Sequence, residues 1–288
     1  MRKQRASGRA PVYLLQPRAH AHAFRELGLG LVRYRRLTWE MAKREIADRY
    51  TGHVLGALWA VGHPLVLISI YVFIFAVVFQ SKTGGVHDPA GDYATYLLAG
   101  LIPWLAFQDV LSKNVSAIVA NSSLVKQVVF PVEVLPTKGV VASFLTLFIT
   151  TGLFWIYYVF VHRSVPWTIT LLPLLWTAQF LAMTGVSFLL SAVGAYFRDL
   201  KEMVQVFSLV NLYMMPIFYR PEWVPVYARP LLYLNPFSYM VWCYQDVCFA
   251  GKIEHPWAWP VFLIGSGLAF YSGYHVFRKL KVYFGNVL

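Results

Sequence analysis

Charge is what this chain has least of. Only 13% of its 288 residues are charged and just 13 are acidic, against about 25% charged in an ordinary soluble domain. With 58% hydrophobic residues and a mean hydropathy of +0.54, the composition excludes a soluble globular protein and implies a polytopic membrane protein. The only cysteines, Cys243 and Cys248, lie in an apolar context, so neither a disulfide framework nor a metal site follows. No Gly-x-x-x-x-Gly-Lys-Ser/Thr loop is present, so the chain has no nucleotide site of its own. His-Glu-x-x-His and Gly-x-Ser-x-Gly are missing as well. Acid–base catalysis needs a positioned pair, and the spacing of Asp88, Asp92, Glu222, Asp246, Glu254 and His255 picks out none. No catalytic residue is assigned.

Ionisable groups are scarce inside the apolar runs too. Asp109 stands at the edge of the second run and His275 at the end of the last. A carrier driven by its own ion gradient keeps such groups within its spans, because they are costly there and serve coupling. Their scarcity points to a conduit powered from elsewhere. No internal repeat is evident. The first strongly apolar run begins near Val54, so no cleaved signal peptide is indicated.

The net charge of +12 is unevenly spread: 12 of the 25 Lys and Arg precede Trp59. Basic residues beside a first span set orientation and touch anionic lipid, which is a better account than nucleic-acid binding. Residues 1–32 form a basic, Ala-rich tail without periodicity. From Arg33 to Tyr50 the pattern reads as a helix, with Trp39, Ala42, Ile46 and Tyr50 on one face and Arg44 and Asp48 opposite. It suits an interfacial helix, although a solvated basic helix gives much the same pattern.

The membrane domain covers residues 51–288. Gly52, Gly56 and Ala60 lead into a first span, Trp59–Phe79, and their spacing predicts close approach of another helix. Further spans are predicted at Tyr93–Val110, Gly139–Val161, Thr168–Tyr196, from Val204, and at Pro256–Phe277, the last with Gly265, Ala269 and Gly273 as a packing face. Placing both termini, Ser112–Lys138 and Phe197–Glu202 on one side collects 20 Lys and Arg there and leaves five opposite, so the former side is cytoplasmic. That parity allows six crossings. It requires Leu231–Phe249 to enter and leave on the outer face rather than cross.

The stretch from Val204 to Gly251 is the anomaly. Its apolar run ends after sixteen residues, or roughly 24 Å of helix, short of a hydrocarbon core of about 30 Å. Five prolines follow between positions 216 and 236, with eleven aromatic residues between Tyr213 and Phe249. Broken backbone is tolerated at membrane depth only where it is buried in protein or lines a path. Aromatics also gather at interfaces as anchors. This number of them, interleaved with prolines, fits a path past which sugar rings could stack.

These residues resemble a known family, the membrane subunits of ABC exporters of O-antigen, capsule and teichoic acid. The resemblance rests on Arg49-Tyr50 with Gly56-x-x-Trp59-Ala60 and Pro64. It continues in Asn121-Ser-Ser-Leu124-Val-Lys126, Phe130-Pro131-Val-Glu133-Val-Leu135-Pro136 and Phe197-Arg198-Asp199-Leu-Lys201-Glu202. Pro216-Ile-Phe218-Tyr219 and Asn235-Pro236 complete it. The motifs occur in the family's order from about Trp39 to the end. Val132 stands where many of that family carry a basic residue, and the first 32 residues exceed its usual amino terminus.

The resemblance implies an all-α permease with six transmembrane helices in a bacterial inner membrane, both termini cytoplasmic. It is implied to form a homodimer with two copies of a separate ATPase subunit, which would hold ATP and magnesium. The cargo would be a lipid-linked polysaccharide. An interfacial helix is implied around Trp39, Ile46, Arg49 and Tyr50, and a coupling helix at 122–136. ATPase contacts are implied for Leu124, Val125, Lys126, Phe130, Pro131, Glu133, Arg198 and Asp199. Gate helices at 220–251 would stand over a channel lined by Tyr213, Phe218, Tyr219, Trp223, Tyr233, Phe237 and Tyr239. The apolar residues on the polar 124–130 segment fit a docking knob, and fit a helix lying on the membrane surface equally well. The alternatives in substrate and class are an ABC permease for another lipid or drug, and a membrane glycosyl- or acyltransferase. Because the chain lacks a nucleotide-binding loop, the purified chain alone is expected to show no ATP hydrolysis above background in a phosphate-release assay. Turnover by this chain would overturn the reading as a subunit powered by a partner.

Overall fold

The computed structural model describes residues 33–78, 90–126 and 130–287. The basic tail 1–32, most of the polar loop after the first span, and positions 127–129 of the expected coupling helix lie outside them. Among the described residues every regular element is helical, so the chain is an all-α polytopic protein. A first helix α1 (Arg35–Tyr50) precedes α2 (Trp59–Val72), which continues through a π-helical turn, Phe73–Val78. Then come α3 (Ala90–Asn114), two single-turn helices α4 (Ala117–Ala120) and α5 (Ser122–Val125), and the long α6 (Val134–His162). A 3₁₀ turn at Trp167–Leu171 opens α7 (Leu172–Gly194). After α8 (Leu200–Met214) the chain breaks into α9 (Arg229–Leu234) and α10 (Pro236–Gln245), closed by a π turn, Asp246–Ala250. The long α11 (Ala258–Lys281) and a terminal turn α12 (Phe284–Val287) finish it.

Three helical stretches, Tyr93–Asn114, Val134–His162 and Trp167–Gly194, are each long and apolar enough to cross a membrane. Side-chain contacts define two ends of the bundle. At the basic end Arg49, Asp109, Lys113 and Lys138 meet, and Lys281 reaches Glu133. At the aromatic end Thr95 meets His162, Thr168 bonds the Val247 carbonyl, and Tyr96 bonds the Pro216 carbonyl. Among the described residues α3, α6, α7 and α11 each carry contacts at both ends.

The closest crossing is α7 against α11. A methyl group added at Gly185 would overlap the Ala269 carbonyl, and one at Gly273 would overlap the Gly185 backbone. Gly273 and Ala269 therefore form the packing face read from the sequence, whereas Gly265 has no atom within 4 Å of where its methyl would sit. The expectation for Gly52 and Gly56 needs correcting. They lie in the turn before α2 at φ +83° and +47°, with nothing within 4 Å of an added methyl. Their role is left-handed backbone, not helix approach.

Two apolar cores result. The larger joins α3, α6, α7 and α10 around Trp104, Phe107, Phe154 and Trp242. The smaller lies at the basic end, where Ile118, Val132, Leu135, Phe188, Phe277 and Phe284 pack together. Gly185→Ala is expected to destabilise by about 1–3 kcal/mol through overpacking. It should lower the midpoint of thermal unfolding in detergent, while Gly265→Ala leaves that midpoint in place.

Candidate translocation and coupling sites

With 15 residues, α8 rises about 22 Å, too short to cross unaided. Beyond Met214 the backbone runs irregularly through Pro216 and Pro221. In an apolar surrounding each carbonyl freed there needs a donor. The donors come from neighbouring helices. Tyr96 on α3 gives its hydroxyl to the Pro216 carbonyl at 2.9 Å and the Tyr219 carbonyl at 3.1 Å. Gln245 on α10 gives its amide to Pro216 at 2.8 Å, and Tyr93 bonds the Phe218 carbonyl at 2.6 Å.

The chain then turns back into the bundle. Arg229 staples the turn by donating to the carbonyls of Val224 and Glu222 at 3.0 and 3.1 Å. Asn235 reaches the level of Asn211, donating to its Oδ1 at 2.7 Å, while its own Oδ1 caps α10 by accepting from the Phe237 amide. Phe237 sits deep, edge-on to Trp104 and Phe107. From there α10 climbs back. Tyr244 donates to Gln179, whose amide holds the Pro103 carbonyl of α3 at 2.9 Å. Phe249 ends against Tyr96, near Pro216 where the excursion began. The stretch is thus a helical hairpin whose beginning and end lie together at one end of the bundle.

Its exit is fixed by Asp246, which is fully buried and accepts from the His255 amide at 3.1 Å and the Trp259 indole at 3.0 Å. The His255 ring stands 2.8 Å away. Both carboxylate oxygens are taken, so Asp246 anchors α10 to α11 and is no accessible acid or base. Among the described residues no His/Cys/Asp/Glu cluster could hold a metal.

The seven aromatics predicted for a channel divide. Tyr213 and Trp223 are each 61% exposed, and Tyr233 is 45% exposed. Phe218 and Tyr219 are half-buried, Phe218 packing on Tyr71 and Tyr213 and Tyr219 bonding the Tyr213 carbonyl. Tyr239 is half-buried as well and bonds the Tyr233 carbonyl at 2.6 Å. Phe237 is half-buried and packs against the larger core. Trp257, which the sequence reading passed over because it lies beyond the proline-rich run, joins Tyr233, Tyr239 and Trp242 in one cluster.

At the basic end, α1 is held by ions. Arg49 donates to Asp109 at 3.3 Å and lies 3.7 Å from Glu45, which pairs with Lys138 of α6 at 3.5 Å. Asp109 also holds Lys113 and accepts from Ser143. The inward face of α1 carries Thr38, Ala42, Glu45, Ile46, Arg49 and Tyr50, while Trp39 is 43% exposed. A hydrophobicity pattern could not find Glu45 or Arg49, since a charged residue at helical spacing reads as a solvated face.

The expected ATPase contacts share this end. Helical turns occupy Ser122–Val125, and the next helix begins at Val134. Leu124, Val125 and Phe130 lean on the smaller core rather than standing free, and Lys126 is exposed. Glu133 binds Lys281 at 2.7 Å, next to half-buried Pro131. Val132 is buried in that core, which accounts for an apolar residue there. Arg198 and Asp199 are exposed where the chain turns from α7 to α8, and the Asp199 side chain does not cap α8.

Residues 36–249, which include the helical hairpin and the basic-end segment, match the model for the ABC-2 type transporter. The chain belongs to the ABC-2 type transporter family. Within it, the chain is 28% identical over 253 residues to the O-antigen export system permease protein RfbA of Klebsiella pneumoniae, covering 86% of this chain and 93% of that one. A protein of the same description from Myxococcus xanthus is 27% identical over 225 residues, or 77% and 84% of the two chains. The polysialic acid transport protein KpsM of Escherichia coli is 22% identical over 212 residues, or 73% and 80%. This ABC-2 chain is accordingly a transporter permease subunit. Tyr96→Phe is expected to orphan the Pro216 and Tyr219 carbonyls in part and cost about 1–3 kcal/mol, measured as a lower unfolding midpoint of the detergent-solubilised permease.

Proposed function

We propose that this ABC-2 chain is the membrane subunit of an ATP-driven exporter that moves a lipid-linked polysaccharide outward between two copies of itself. The observation that carries this reading is the aromatic helical hairpin. It is braced against α3 and α11 yet presents exposed Tyr213, Trp223 and Tyr233 at one end of the bundle. Such rings stack on the apolar faces of sugars without gripping one residue type. The likeness to O-antigen and polysialic acid permeases over most of the chain supports the same cargo class.

In this reading the basic end faces the cytoplasm, in keeping with the distribution of Lys and Arg. The six segments carrying α2, α3, α6, α7, α8 and α11 cross the inner membrane, and both termini are inside. A separate ATPase subunit docks around Lys126, Arg198 and Asp199. Its movement passes to the spans through Leu124, Val125 and Phe130, which are packed on the ends of α7 and α11, and through the Glu133–Lys281 bridge. A packed core transmits rigid-body displacement rather than absorbing it. The exposed apolar face of α8, with Val206, Phe207, Leu209 and Val210, supports pairing with a second copy.

In cells that depend on this permease for surface polysaccharide, Trp223→Ala combined with Tyr233→Ala is expected to reduce export several-fold at unchanged membrane levels of the subunit. Phe237→Ala should instead lower those levels by opening a core cavity. Normal export by the double variant would reduce these aromatics to interfacial anchors. Export of a different lipid or drug, with no effect on polysaccharide, would move the chain to the other substrate class.

A further inference from the structure

The ionic layer at the basic end separates two cavities, and Lys113 lines both. On one side lies an apolar cleft of about 300 Å³ between α2, α3 and α6, walled by Leu67, Ile68, Leu98, Ile102, Leu105 and Leu147. Arg49, Asp109 and Lys113 close its foot, with Ser143, Thr146 and Thr150 on the same wall. On the other side lies a polar cavity of about 510 Å³ between α1, the α4–α5 turns and the start of α6, lined by Arg44, Glu45, Asp48, Asn121 and Lys138.

The dimensions and charge of this pair select a ligand. From Asp109 to Leu98 the apolar cleft follows twelve residues of α3, a rise of about 16 Å. That is close to one leaflet, half of a hydrocarbon core of about 30 Å. The layer at its foot combines Arg49, Lys113 and Lys138 with Glu45 and Asp109, three cations against two anions, and is net positive. Arg49 meets its two carboxylates through Nη2, and a guanidinium has five donors, so its fork suits an added oxyanion.

We propose that this paired cavity binds an anionic glycerophospholipid. Its phosphate sits in the ionic layer, one acyl chain lies in the apolar cleft, and the remainder of the headgroup occupies the polar cavity. A membrane-length polyprenyl tail would overrun a cleft one leaflet deep, so the occupant is a bilayer lipid and not the cargo. Bound there, the lipid bridges α1 to α3 and α6, and the anchoring of the interfacial helix depends on leaflet composition. The site requires neither polysaccharide as cargo nor a particular partner.

The test uses the full chain, purified and delipidated in detergent, with its thermal unfolding followed as probes are added. Phosphatidylglycerol is expected to raise the midpoint in a saturable way. Phosphatidylcholine with the same chains, inorganic phosphate and a polyprenyl phosphate are expected to leave it within error. Thr146→Phe, which plugs the cleft without touching the charges, should abolish the phosphatidylglycerol shift. Should that variant not fold, Arg49→Gln is expected to raise the lipid concentration needed for half the shift by about tenfold, equivalent to one lost charge-assisted contact. Equal shifts from the choline lipid, a shift from phosphate alone, or a preference for the polyprenyl phosphate would each overturn the site. So would a phosphatidylglycerol response that survives in Thr146→Phe.

Discussion

Everything at the aromatic end depends on satisfying backbone carbonyls where a helix stops inside an apolar bundle. A chain that breaks at Pro216 in such a place loses hydrogen bonds that water cannot replace. Tyr93, Tyr96 and Gln245 supply them from two other helices. Once those donors are in place the break becomes a fixed feature, and α9 and α10 can fold back beside it. One level deeper the Asn211 and Asn235 side chains pair with each other, and at the exit three donor groups surround the buried Asp246 carboxylate.

The basic end works by a different balance. There charged groups are present in both signs and partly desolvated, so each needs its partner. Glu45, Arg49, Asp109, Lys113 and Lys138 tie α1 to α3 and α6 through ion pairs, beside the apolar contacts of Met41 and Ala42. The smaller apolar core beside them gathers the ends of α6, α7 and α11 with the α4–α5 turns. Force applied to those turns therefore meets three long helices together. That connection suits a permease driven by a partner, and a lipid phosphate in the ionic layer would tune the rigidity of the same region.

The transporter class was legible in composition and in what is missing. Low charge and few ionisable groups in the apolar runs pointed to a membrane conduit, and the family match gives the permease class. Counting Lys and Arg also required Leu231–Phe249 to return to the side it came from, and the contacts of Asn235, Phe237 and Phe249 follow that course. Less was legible in the small residues. The spacing of Gly52 and Gly56 imitates a helix-packing motif, yet positive φ angles put both in a turn. The apolar residues at 124–130 looked equally suited to a docking knob or a membrane surface, because hydrophobicity does not say what it is buried against.

The sequence by itself determined that this chain is a helical membrane protein with a basic side, a short apolar run from Val204 and an aromatic segment after it. Those are properties of length, periodicity and charge count, each additive along the chain. Only the tertiary structure decided which polar residues hold the broken helix, which aromatics stay exposed, and that Asp109 joins α1 to the bundle. These depend on pairs far apart in the chain, 29 positions for Pro216 with Gln245 and 120 for Tyr96 with Pro216. A lone Gln or Asp in an apolar run shows that a partner is needed, since burial without one is costly. It carries no mark of which distant helix will bring that partner near.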